Sequence, residues 1–216
     1  MANNDFAPTD SPDAIHRQLS ERSFFYFNDP IEIATQVRQH LNGLPNRMVA
    51  YGRLSEPGDE QVLCGTYAKL SEANGDIILD RMRLLVEDLL RRISLGMGLE
   101  AAALMEYSRS RDHGLFLYQF EDWYHGALAT RNTERLFIPA HVDTSFITLV
   151  PSIEGLEAMS AQGEWAPVPS LASCILVQVG LELEAFSGHQ YKALTHRATQ
   201  DASATVFWGN LKPVPW

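Results

Sequence analysis

The chain has 216 residues, 45% of them hydrophobic and 20% charged, a balance that suits one globular domain with a sizeable core. A formal net charge of −10 argues against nucleic acid and against an anionic membrane surface as partners, since both call for a face rich in Lys and Arg. No apolar run approaches the ~20 residues of a membrane span, and the polar start MANNDFAPTDSPD lacks the basic-then-apolar order of a secretory signal.

Taken in order, the first ten or so residues read as a frayed end. Ser11-Pro12 and Asp29-Pro30 each pair a capping residue with Pro at the first helical position, which predicts helices over 12–20 and 30–42. Between them Ser23-Phe24-Phe25-Tyr26-Phe27 has the aromatic composition of a strand. Ile78, Met82, Leu85, Val86, Leu89, Ile93 and Met97 recur at helical spacing, with Arg81, Glu87, Asp88 and Arg91 among the solvent positions. This predicts a helix over 76–95 closed by Gly96 and Gly98, and a short helix follows over 100–107.

After residue 113 the texture changes to short β-rich runs between turn residues: LFLYQF, LFI, SFITLV, GLEAM, WAPV, CILVQV, QYKAL and ATVFW. Ala161-Gln162-Gly163-Glu164 reads as a hairpin turn. About eight short strands in one stretch suggest a sandwich or jelly roll. The expected fold is therefore α+β: a helix-rich region 1–112 packed with a β-core 113–216, as one domain over 1–216. Two cysteines, Cys64 and Cys174, make no disulfide framework. Cys174 lies in the apolar run SCILVQV and reads as a buried, reduced thiol, so a cytoplasmic setting is expected. Nothing in the chain fixes the oligomeric state.

The chemistry concentrates in two segments, HVD at His141 to Asp143 and THR at Thr195 to Arg197. Two His and a carboxylate are the ligand set of the facial triad of non-haem iron(II) oxygenases. His141 and Asp143 lie two apart, so on an extended strand both side chains share a face, and His196 lies far enough downstream to arrive on another strand. Taken singly, an HxD is more often a surface turn and a lone His more often a hydrogen-bonded structural residue. Together, among apolar strands, they point to a metal. His16 and His40 fall on predicted helices, His189 in a turn, and His113 and His125 near the start of the β-region. No CxxC pair, HExxH, Gly-rich strand-to-helix loop or G-x-S-x-G elbow supports a rival chemistry.

The text between the two segments is more specific. His141, Asp143, Thr148-Leu149, Gly155-Leu156-Glu157, Gly163, Trp165, Pro167-Val168, Gly180, Ser187-Gly188, Tyr191-Lys192 and His196-Arg197 occur in the order in which the iron(II)/2-oxoglutarate-dependent dioxygenases carry them. The stretch resembles the isopenicillin N synthase-like branch of that family. Fainter likenesses are Arg22-Ser23-Phe24-Phe25 and Leu95-Gly96-Met97-Gly98-Leu99. The resemblance implies a double-stranded β-helix (jelly-roll) core, with iron(II) held by His141, Asp143 and His196. It implies 2-oxoglutarate and O2 as cosubstrates, and hydroxylation, desaturation or cyclisation of a small molecule through an iron-oxo species.

Two departures bear on the cosubstrate. The family anchors the far carboxylate of 2-oxoglutarate with an Arg-x-Ser pair. Aligning Phe207-Trp208 on the family's paired aromatics puts Ala202 and Ala204 in those places. The N-x-Y strand that supplies a Tyr has Tyr118 and Phe120 instead. Charged-group hydrogen bonds are worth ~1.5–3 kcal/mol each, so either another cation substitutes or 2-oxoglutarate is not the cosubstrate. Arg135, which shares strand parity with His141, is the first candidate and Arg131 the second. Arg197, adjacent to His196, is expected to face outward in a structural role. The chain also ends at Trp216, soon after Phe207-Trp208, where family members continue with a helical extension over the site. Tyr118, Phe120, Gln178, Thr205 and Phe207 are candidate pocket-lining residues. The alternatives to a 2-oxoglutarate-dependent enzyme are an iron oxidase that uses no 2-oxoglutarate, and a degenerate, non-catalytic β-helix protein that binds a metal or small ligand.

Overall fold

The computed structural model describes residues 6–29, 32, 48–51, 63–69, 77–109, 114–119, 136–153, 155–199 and 204–210. Helix α1 spans Pro12–Arg22, with Pro at its start, Asp13 in the first turn and Arg22 in the last, which complements the helix dipole. Ser11 has the extended backbone of a cap, although its side chain makes no capping hydrogen bond. Ser23 then turns left-handed (φ 66°) and returns its N–H to Leu19 O. That single residue closes the helix and launches strand β1, Phe24–Asn28. Strands β2 (Met48–Tyr51) and β3 (Leu63–Lys69) follow.

Helix α2 spans Ile77–Gly96 and α3 Ala103–Arg109, within a few residues of the expected bounds. The end of α2 is set by packing as well as by turn chemistry. A Cβ on Gly96 would lie 2.6 Å from Pro12 O, so only glycine lets α1 cross there. Gly98 supplies the positive φ that closes the turn.

The remaining strands are β4 (Gly114–Gln119), β5 (Leu136–His141), β6 (Ile147–Ile153), β7 (Leu156–Met159), β8 (Trp165–Pro167), β9 (Cys174–Val179), β10 (His196–Thr199) and β11 (Ala204–Asn210), with helix α4 (Leu181–Phe186) between β9 and β10. They form a seven-stranded sheet, β1-β9-β6-β11-β4-β3-β2, and a four-stranded sheet, β5-β10-β7-β8. The ladders in both are antiparallel.

Two apolar layers follow from strand alternation. Phe25 and Phe27 of β1, Ile147 and Leu149 of β6, and Ile175, Val177 and Val179 of β9 pack on Ile15, Leu19, Leu89 and Ile93 of the helices. The alternate residues Phe24, Tyr26, Val150 and Leu176 point the other way and meet Leu156 and Ala158 of the four-stranded sheet. Strands buried on both faces read as continuous apolar runs, which is why FFYF and CILVQV carry no polar alternation. Helices gathered on one side of an antiparallel sheet make the architecture α+β.

Several expectations need correction or lie elsewhere. QYKAL is no strand: residues 190–195 are turn and coil, and the β10 strand starts only at His196. Helix α4 was not anticipated, being too short for its apolar spacing to register. The turn between β7 and β8 is where it was expected, with Gly163 at φ +80°. Cys174 is half-buried rather than buried, and burial raises its thiol pKa. The helix expected over 30–42 falls outside the described residues. Among the described residues no helix is long and apolar enough to cross a membrane.

Candidate metal centre

His141 is the last residue of β5 and His196 the first of β10, and the two are direct cross-strand partners. Residues opposite each other in an antiparallel pair share a face, so the imidazoles lie side by side, centroids 4.3 Å apart. Asp143 completes the group from a different position than expected. It stands past the end of β5, just before a bend at 144–146, not on the strand.

The junction of β9 and α4 holds that bend. Leu181 N–H donates to Asp143 O (2.8 Å), Glu182 N–H to Ser145 O (3.2 Å) and Gly180 N–H to Phe146 O (2.9 Å). The approach is close enough that a Cβ on Gly180 would lie 2.0 Å from Ser145 O. The segment entering β10 is tied as well. Ala193 N–H donates to Glu184 Oε2 (2.7 Å), and this bond is the main reason the Glu184 carboxyl is held below its usual pKa. Leu194 N–H donates to Val179 O (3.0 Å).

Asp143 is 6% exposed. Its Oδ1 lies 3.6 Å from His141 Nε2 and 4.0 Å from His196 Nε2, and one ligand-type atom from each residue falls within 4.8 Å of the others. Ligands about 2.1 Å from one ion, in neighbouring octahedral positions, stand roughly 3 Å apart. Small side-chain adjustments would therefore close these three around a divalent cation. Charge points the same way. A buried carboxylate needs a cationic partner, and among the described residues no Lys or Arg pairs with Asp143.

Hydrogen bonds orient Asp143 and His196. The hydroxyl of Thr148 donates to Asp143 Oδ2 (2.5 Å) and in turn accepts from Ser145 Oγ (3.0 Å), which leaves Oδ1 facing the imidazoles. His196 Nδ1 stands 3.0 Å from Leu194 O. A carbonyl only accepts, so Nδ1 carries the proton and Nε2 presents a lone pair. Outer partners of this kind typically set 10–100-fold in metal affinity. Thr148→Val should accordingly weaken binding by about that factor with the fold unchanged, as read by anaerobic iron(II) titration. Wild-type affinity in that variant would mean that the bend alone positions the carboxylate.

The other expected residues fare unevenly. Gln178 is buried on β9, opposite Thr148. Arg197 pairs with its cross-strand partner Glu157 (Nε to Oε2, 2.6 Å) and lies over Trp165 at 4.3 Å, away from the triad, as expected of a structural residue. The backbones of Tyr118, Thr205 and Phe207 are placed: Tyr118 opposite Val206, Thr205 opposite Gln119 and Phe207 opposite Leu117 and Leu149. Phe120, Arg131 and Arg135 lie outside the described residues, as do His40, His113 and His125. His16 donates to or accepts from Tyr191 Oη (2.7 Å), and His189 meets Glu184, so both are engaged away from the centre. Sequence reasoning missed Ser145, Gly180 and the Leu194 carbonyl as supports of the site. Thr148 and Gly180 stood among the matched motif residues, with no role attached.

Residues 112–209, just under half of the chain, match the family model of the 2OG-Fe(II) oxygenase superfamily. A flavonol synthase/flavanone 3-hydroxylase of Petunia hybrida is 32% identical over 127 residues, 58% of this chain and 35% of that protein. Leucoanthocyanidin dioxygenase 2 of Oryza sativa subsp. japonica is 31% identical over 135 residues, 59% of this chain and 36% of that protein. The chain thus matches only about a third of the length of these curated relatives. Among solved structures, a full-length Neurospora crassa protein in complex with alpha-KG aligns with a TM-score of 0.70 at 17% identity, covering 92% of this chain and 78% of that one. The dioxygenase for auxin oxidation 1 of Arabidopsis thaliana, bound to 2-oxoglutarate, aligns at 0.65 and 17% identity, covering 95% and 91%. At such identities the structural likeness speaks for the fold.

Proposed function

We propose that the chain is a non-haem iron(II) oxygenase of the 2OG-Fe(II) oxygenase superfamily, whose family model residues 112–209 match, dependent on 2-oxoglutarate and oxidising a small organic molecule. The observation that carries this reading is the convergence of His141, Asp143 and His196 from β5, the segment after it and β10. The two facing sheets are read as the double-stranded β-helix of that superfamily, and the motif order between His141 and Arg197 as its isopenicillin N synthase-like branch. The names flavanone 3-hydroxylase and leucoanthocyanidin dioxygenase among the relatives, and thymine in a complex of the Neurospora crassa protein, support a small-molecule substrate.

Iron(II) with 2-oxoglutarate and O2 supplies the oxidising chemistry when bound. The chain's own part is positional. His196 offers Nε2 because Leu194 O holds its other nitrogen, and Asp143 offers one oxygen because Thr148 holds the other. Three ligands on one side leave the remaining coordination positions for cosubstrate and oxygen. Phe24, Tyr26, Leu156 and Leu176 line the inter-sheet layer with apolar surface, which limits water near the reacting groups. Arg135, with Arg131 second, is proposed as the cation for the far carboxylate of 2-oxoglutarate in place of the Arg-x-Ser pair.

Anaerobic iron(II) titration followed by oxygen-uptake assays with and without 2-oxoglutarate tests this reading. One equivalent of iron bound, and succinate formed only when 2-oxoglutarate is present, is the expected result. Oxygen uptake that ignores 2-oxoglutarate would mark an iron oxidase. Iron bound without any turnover would favour a non-catalytic binding protein, and no iron binding would sink all three.

A further inference from the structure

Gln178 is 1% exposed, yet neither its Oε1 nor its Nε2 has a hydrogen-bond partner among the described residues. Such a group is costly, because burial strips its water and nothing replaces it. Gln18 also has an unpartnered oxygen, but its Nε2 still reaches Ala7 O. In Gln178 both ends of the amide lack a partner among the described residues.

Strand alternation fixes where that amide points. Ile175, Val177 and Val179 of β9 fill the helix-side layer, while Leu176, two residues from Gln178, packs between the sheets. Gln178 is the cross-strand partner of Thr148, whose hydroxyl holds Asp143. Partners in an antiparallel ladder keep their Cβ atoms ~4.5–5.5 Å apart, so the amide stands beside the support of the metal ligands. Its other cross-strand partner is Phe24, of the inter-sheet cluster with Tyr26, Leu156 and Leu176. Of the groups around this layer, His141 keeps 23% of its side chain exposed.

We propose that Gln178 is the specificity-determining hydrogen-bonding group of the space beside the metal, reading a neutral ligand edge that carries a donor next to an acceptor, as in an amide, lactam or imide. The proposal deepens the oxygenase reading and rests on the ligand being held at that same centre. A carboxamide offers N–H donors and a carbonyl acceptor side by side. A ketone satisfies only the donors, and a carboxylate also sets its charge against the amide oxygen in apolar surroundings. A site built to make hydrogen bonds discriminates strongly against ligands that leave its buried polar groups unpaired.

Two measurements on the full chain test this. Thermal unfolding of metal-free protein should show Gln178→Leu, and likewise Gln178→Met, melting above wild type, since each removes an unpaired buried amide. A lower melting temperature in both variants would overturn the proposal, because the amide would then be satisfied within the protein itself. Cobalt(II), an oxygen-inert stand-in for iron(II), allows binding of benzamide, acetophenone and benzoate to be compared by paramagnetic relaxation of the probe's proton signals. Wild type should prefer benzamide by about tenfold over either other probe, the worth of one well-made hydrogen bond, and Gln178→Leu should bind all three alike. Equal affinities in wild type, or a preference that survives in Gln178→Leu, would overturn it. Wild type that binds no cobalt would sink the metal reading instead, while the melting comparison still decides whether Gln178 is an unpaired amide.

Discussion

Asp143→Asn should lower iron(II) affinity by more than the roughly 100-fold that bounds changes outside the ligand set, while leaving the fold intact. The substitution keeps volume and shape and removes only the charge and one acceptor. Thr148 decides which end of the new amide faces the metal. Its hydroxyl donates to one carboxylate oxygen of Asp143, so in the variant it will hold the amide carbonyl. The NH2 group then turns towards His141 and His196, where it has no lone pair to give. The charge matters as much as the atom, because an attraction screened by little water is far stronger than one at the surface. Anaerobic titration monitored by calorimetry, with circular dichroism to verify the fold, measures the effect. Near-wild-type affinity would place the ion somewhere other than between these three side chains.

Gly180→Ala should be among the most disruptive single-methyl additions in the molecule. Its Cβ would stand 2.0 Å from Ser145 O and 2.8 Å from Ser145 Oγ, and two of the crowding atoms are backbone. The chain cannot relieve that overlap without parting Gly180 from Phe146 O and Leu181 from Asp143 O, the bonds that hold the bend. Overpacking of this kind costs about 3 kcal/mol or more, which for a chain of this size lowers Tm by roughly 6–12 °C. Metal affinity should fall with it, since the displaced bend follows directly on Asp143. Gly163→Ala supplies the contrast. There the added methyl meets nothing within 4 Å and only a backbone at φ +80° resists, so about 1–2 kcal/mol is expected, with metal binding untouched. Equal losses in the two variants would show that torsion, not crowding, requires glycine at 180.

The contrast also explains how much of the molecule could be read from its sequence. Periodic or continuous apolar runs declared α2, β1, β6 and β9, because what each buries follows from residues close together in the chain. The three ligand types and their order were likewise legible, since residue identity is what a metal requires. Asp143 was assigned to a strand because HxD has the right parity, but Leu181 N–H holds its carbonyl and two more N–H groups of the β9–α4 junction hold the bend that follows it. Those bonds use main-chain atoms and leave no mark in side-chain identity. Gly180 likewise stood in the matched motif without a role until Ser145 O was placed against it. The orientation of Gln178 is a register fact, fixed by its pairing with Thr148 and Phe24.

The sheet order has a consequence for how the chain comes to be folded. Strand β1, near the start, finds its ladder partner in β9, Phe24 against Gln178 and Asn28 against Cys174. The two imidazoles meet through β5 and β10, also distant in sequence. Pairings of such long range must close large loops before they return any contact energy, so they form slowly and late. During synthesis β1, apolar on both faces, waits for β9 to emerge. The metal ligands are brought together only after β10 has followed β5, so a chain stalled before β10 presents a sticky strand edge and no site.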